Sequence, residues 1–215
     1  MFPTEAHILY QCCHENLRWL YGIVSEARCP KIIVMSLHGS YEHKSSLHQL
    51  LCSHSDPCSS TLSVPGAKSV MLGLIFNLAF KYLHSMQMYP TQWYKIVVEY
   101  TTSRAKGVLV DLGKACYVSD AKQYTLSKEE RQAYAINHPQ IAPDLRGHCK
   151  QGFAGDIYST GRIMAYVNDR VLNIPVIASY SNLCMVYLCT KRPTTDDVYT
   201  FLHNTFQDDL IIQLY

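Results

Sequence analysis

The sequence predicts an α+β fold, and three observations predict it. Two pairs of apolar runs have strand length, "NLRWLYGIV" with "PKIIVMSL" and "YKIVVEY" with "GVLVDLG", each pair separated by a polar turn, "SEARCP" or "TTSRAK". Most of the remaining chain places apolar residues at helical spacing. Hydrophobic residues make up 48% of the 215 positions and charged residues 17%, which supplies a buried core and excludes a disordered charged tail.

The elements follow in order. Residues 3–13 read as a short helix that opens at Pro3 to Glu5 and sets Ile8, Leu9 and Cys12 on one face. The first pair of apolar runs reads as a hairpin; two strands alone cannot cover a sheet face, so their apolar side and unpaired edges predict association. A short helix is expected near Leu47 to Leu51, then the polar loop "SHSDPCSSTLSVPGAK", then one long apolar helix from about Ser69 to His84. The second pair of runs reads as another hairpin. Ser127 and Glu130 have capping-box spacing and predict a helix start. A further helix is expected from Asp156, an N-cap by residue type, and a last one over "TTDDVYTFLHNTF" with Val198, Phe201, Leu202 and Phe206 on a face.

Composition narrows the function. With 19 Lys and Arg against 17 Asp and Glu, unclustered, the chain lacks the basic footprint of a nucleic-acid binder. The most apolar stretch is about a dozen residues, short of the ~20 that span a bilayer, and the first residues lack the pattern of a secretory signal. An intracellular, cytoplasmic chain without nucleic-acid or membrane partners is the expectation. The nine cysteines are odd in number and irregularly spaced, which predicts reduced thiols. Cys52, His54 and Cys58 offer zinc donor types, but no second pair at finger spacing completes four ligands. None of the ten histidines has triad spacing.

Four stretches in one order, "VLVDLGKA", "HPQIAPDL", "DIYSTGRIM" and "KRPTTDDV", together resemble the lower lobe of the eukaryotic protein kinase family. Asp111, Leu112 and Gly113 resemble D-F-G, whose aspartate holds the magnesium that bridges the phosphates of ATP. Ala142, Pro143 and Asp144 resemble A-P-E with a shorter acid, and Arg192 stands where the family has that acid's partner. Asp156 and Gly161 match the D-x-x-x-x-G helix, whose aspartate braces the catalytic loop. Upstream, "HENL" resembles the turn before the fourth strand, and "IIVMSLHG" the fifth strand and hinge, with Met35 as gatekeeper and Ser36, Leu37 and His38 along the nucleotide. Glu5 falls at the regulatory-helix glutamate. The resemblance implies residues 1–36 as part of an upper lobe and residues 37–215 as a mainly helical lower lobe, leaning to the tyrosine-kinase-like branch.

The departures set the functional expectation. Nothing in the chain matches the glycine-rich loop or the nucleotide-binding lysine strand, and the alignment opens within the regulatory helix. Where the catalytic loop is expected the sequence is "MQMYPTQWYK", which sets Pro90 at the catalytic aspartate, Gln92 at the lysine and Lys95 at the second metal ligand. Proline supplies neither a carboxylate nor a backbone donor, and Lys95 brings a positive charge beside the magnesium position. The resemblance implies ATP and magnesium as cofactors; the departures predict a pseudokinase or fragment that acts by binding a protein partner. Two alternatives remain open: an active serine/threonine or tyrosine kinase whose segments are missing from this sequence, and an interaction domain without nucleotide. Tyr117, Tyr124 and Tyr134, with Ser119, Thr125 and Ser127, lie in the segment that kinases phosphorylate.

Overall fold

The structure, a computed structural model, describes residues 2–26, 29–39, 46–52, 62–73, 79–89, 96–100, 105–121, 123, 126–139, 141–146 and 152–211. Among these the order is α1 (Phe2–Gln11), β1 (Leu20–Glu26), β2 (Cys29–Met35), α2 (Leu47–Cys52), α3 (Val64–Met71), α4 (Ala79–Ser85), β3 (Met88–Tyr89), β4 (Ile96–Tyr100), β5 (Ala105–Leu109), β6 (Cys116–Tyr117), α5 (Lys128–Asn137), α6 (Phe153–Val167), α7 (Pro175–Cys184) and α8 (Thr195–Ile211). The architecture is mixed α+β, with helices predominating over small antiparallel sheets.

Both predicted hairpins form. β1 and β2 pair antiparallel with Val24 opposite Ile32 and Ile23 opposite Ile33; β4 and β5 pair from Ile96 opposite Leu109 to Tyr100 opposite Ala105. A third, two-residue pairing sets Met88 opposite Tyr117. The hairpins are joined through the chain before β1: Leu17 bridges Leu109, and buried Asn16 donates from Nδ2 to the Gly107 carbonyl at 2.7 Å. That amide satisfies a backbone acceptor that would otherwise be buried unpaired.

A single hydrophobic cluster runs through the described residues. Ile8, Leu9 and Leu17 from the α1 end belong to the same cluster as Leu50, Met71, Leu83, Leu109, Met164 and Phe206. The core is therefore continuous across the boundary expected at residue 36. On the β1–β2 pair, by contrast, Val24, Ile32 and Val34 share one face and are 51%, 56% and 44% exposed. Ile33 and Met35, which alternate with them, are half-buried.

Local chemistry accounts for several helix starts. The capping box at α5 is present: Ser127 Oγ accepts from the Glu130 amide at 3.1 Å while Glu130 Oε2 accepts from the Ser127 amide at 2.8 Å. Thr194 and Asp197 bond reciprocally at the head of α8, with Asp197 Oδ2 accepting from the Thr194 amide at 2.8 Å. These bonds hold the Asp197 carboxyl below its ordinary value.

Other expectations need correction. The apolar helix does not begin near Ser69 but at Val64, because Ser63 caps it by accepting from the Gly66 amide and Pro65 sits in the first turn, where its missing N–H costs nothing; α4 is described separately, and residues 74–78 lie outside the described set. The "GVLVDLG" strand starts earlier, at Ala105, and ends at Leu109, short of Asp111. Asp156 is not an N-cap: Gly152 holds that position, and Asp156 lies buried inside the first turn of α6. α7 escaped the sequence reading; Asn173 in the left-handed region (φ 51°) ends the preceding turn and Pro175 opens the helix.

Candidate functional site

Asp111 sits in a turn just beyond β5. Its Oδ1 accepts the Gly113 amide at 2.8 Å, and the Ala115 amide donates to the Leu112 carbonyl at 2.9 Å, so the carboxylate nucleates the reversal of the chain. Leu112 is buried in the common core. Gly113 lies in close approach to both acids: a Cβ there would stand 3.1 Å from Asp111 Oδ1 and 3.4 Å from Glu5 Oε2. The Glu5 carboxylate of α1 thus reaches the same turn as Asp111.

Magnesium binds through one or two carboxylates and keeps its other positions for water or phosphate. Asp111 supplies one described carboxylate, with one oxygen already committed to the Gly113 amide; no group of three His, Cys, Asp or Glu side chains among the described residues gathers to hold a metal ion. Pro90, Gln92 and Lys95, at the expected catalytic-loop positions, lie outside the described residues, as do His54, Cys58, Tyr124 and Thr125.

The hinge-like segment after β2 is internally bonded. The Trp19 amide donates to Ser36 Oγ at 2.8 Å, Ser36 Oγ lies 2.6 Å from His38 Nε2, and His38 Nδ1 lies 2.7 Å from Glu99 Oε1 on β4. A proton on Nδ1 closes the chain of bonds from Trp19 to Glu99 with every donor matched to an acceptor. It ties the β1–β2 pair to the β4–β5 pair. Met35 is half-buried against the common core and Leu37 is 62% exposed.

Two buried ionic groups organise the helical part. Arg192 Nη2 donates to Asp144 Oδ1, Nη1 to Asp144 Oδ2 at 3.4 Å and to the Ala154 carbonyl at 2.8 Å. Its Nε donates to the Val186 carbonyl at 2.9 Å, Nη2 also reaches the Tyr187 carbonyl, and the guanidinium lies 5.2 Å from the Tyr158 ring centre. A charge so desolvated persists only when paired and fully hydrogen-bonded, as here. The pair locks the turn before α6 to the turn before α8.

The second group is Asp156. Its Oδ2 lies 3.0 Å from His84 Nε2, and His84 Nδ1 lies 2.8 Å from Thr195 Oγ1, with the Phe153 ring 4.2 Å from the imidazole. Burial pushes the Asp156 carboxyl above its ordinary value, and the His84 bond pulls it back in part. Asp156 therefore braces the end of α4, which leads into the expected catalytic loop. His84 as its partner, and Thr195 as the partner of His84, are not legible in the sequence, because they lie 72 and 39 residues from Asp156 and each is an ordinary residue in its own segment. Gly161, on the same helix, meets α7: a Cβ would stand 2.8 Å from the Ser181 carbonyl and 2.7 Å from Cys184 Cβ, so only glycine allows the two helices to pack this closely.

Thiol chemistry finds no support in the buried cysteines. Burial pushes Cys12 up to about 11 and Cys184 up to about 12, which keeps both protonated at neutral pH. The described free cysteines form no disulfide. No helix among the described residues is long and apolar enough to cross a membrane. Compared with known proteins, the chain matches no family model and no curated protein.

Proposed function

We propose that this is a protein kinase-like domain that does not transfer phosphate and acts by binding another protein. The observation that carries the reading is the buried Arg192–Asp144 pair, which unites two motifs 48 residues apart in the way the resemblance requires. The approach of Glu5 to the Asp111 turn and the bracing of α4 by Asp156 support the same reading. Phosphoryl transfer relies on a carboxylate to orient the incoming hydroxyl and on cations to neutralise the phosphates. Proline at position 90 removes the first, and lysine at position 95 opposes the second metal. The exposed face of Val24, Ile32 and Val34 supports a protein partner.

The test is phosphate transfer from labelled ATP with magnesium to a generic protein substrate, run beside Asp111→Ala. The expected result is equal, background incorporation in both; a thermal-shift titration with millimolar ATP and magnesium separates this reading from an interaction domain without nucleotide, which no shift favours. Transfer by the unaltered chain above the Asp111→Ala level overturns the reading and favours an active phosphotransferase.

A further inference from the structure

A cavity of about 580 Å³ opens between α2, β4, the end of α5 and α6, and it takes in neither Asp111 nor Glu5. Its floor is apolar: Leu47, Leu51, Ile96 and Ile163 are all buried members of the common core. Its mouth is different in kind. His48 lies stacked on Tyr166, with ring centres 6.3 Å apart and planes 19° from parallel, and His138 and Arg162 complete the rim. Arg170 lies over the Tyr166 ring at 5.6 Å and adds positive charge to this side.

The charge pattern decides the ligand class. No Asp or Glu is among the described residues that line the cavity, and Arg162 makes no ion pair with any described residue. It is exposed, one turn before Tyr166 on α6. Pockets of this size hold small molecules by apolar contact, with a few polar groups to orient them. A guanidinium with no acidic partner among the described residues matches one carboxylate through its planar fork. We infer that this cavity binds a small amphipathic carboxylate of the medium-chain fatty acid class, whose apolar chain covers the floor and whose carboxylate meets Arg162 at the mouth. A neutral analogue keeps the apolar contacts and loses the ion pair; a cationic one meets repulsion from the arginines. The inference does not rest on the kinase-like reading.

Calorimetric titration of the full chain with decanoate, 1-decanol and decyltrimethylammonium, below micelle-forming concentrations, tests it. Decanoate is expected to bind saturably at one site, decanol about tenfold more weakly, and the cation not at all. Arg162→Ala is expected to weaken decanoate about tenfold while leaving decanol unchanged, and Asn137→Trp, at the exposed rim, to block decanoate. Absence of saturable decanoate binding, equal affinity for decanoate and decanol, or undiminished binding by either variant overturns it. If a variant does not fold, the three ligands on the unaltered chain decide the outcome.

Discussion

Arg192 gathers more hydrogen bonds than any neighbouring side chain, to the Asp144 carboxylate and to three carbonyls, while its side chain is fully shielded from solvent. Removing it strands a buried carboxylate and leaves those carbonyls short of a donor. Arg192→Ala is expected to cost about 3–5 kcal/mol, read as a lowered midpoint in urea unfolding; Arg192→Lys recovers only part, because an ammonium lacks the planar fork. A loss under 1 kcal/mol in Arg192→Ala contradicts this account. Asp156 gives a pH prediction of definite sign. Burial raises its carboxyl above the ordinary value, so the folded chain holds that proton more tightly than the unfolded chain. Its contribution is most favourable below the ordinary carboxylate range and is lost as pH rises through the raised value. Asp156→Asn cannot ionise but can still accept from His84 Nε2; as pH rises above the ordinary carboxylate range it should lack the decline that Asp156 gives the unaltered chain. Parallel unfolding profiles above that range count against it.

At the scale of elements, the β1–β2 hairpin is the least covered part. Its register sets Val24, Ile32 and Val34 on one open face, and in its two-stranded sheet each strand has a second edge with no partner among the described residues. Such edges template further pairing. The isolated chain is expected to associate at micromolar concentration, measured by light scattering after size exclusion. Ile32→Thr with Val34→Thr retains strand propensity and removes apolar area, so it should shift the population toward monomer. A monomeric unaltered chain shows that the face is adequately covered. The helices illustrate a different dependence: α5 and α8 start where a Ser or Thr stands three residues before an acid, and those starts are readable without tertiary information. α3 begins before its apolar periodicity does, because Ser63, Val64, Pro65 and Gly66 look like a loop by composition, whereas their geometry is that of a capped first turn.

For the whole molecule, the sequence alone determined the α+β class, the two hairpins, the capping box of α5 and the apolar faces of α1 and α8. Each rests on bonds or spacings within a few residues, and backbone geometry makes such relations visible in one dimension. The resemblance to kinases also named Asp144 and Arg192 as partners, and they meet. Only the tertiary structure decided that Asp156 pairs with His84, itself bonded to Thr195, rather than capping its helix, that Gly161 admits α7, and that α1 shares one core with α8. It also brought four separate elements around a cavity with Arg162 at its mouth. These outcomes depend on desolvation and close packing between residues tens of positions apart. Such energies arise only when distant surfaces exclude water together, and no local pattern of residue types encodes which surfaces will meet.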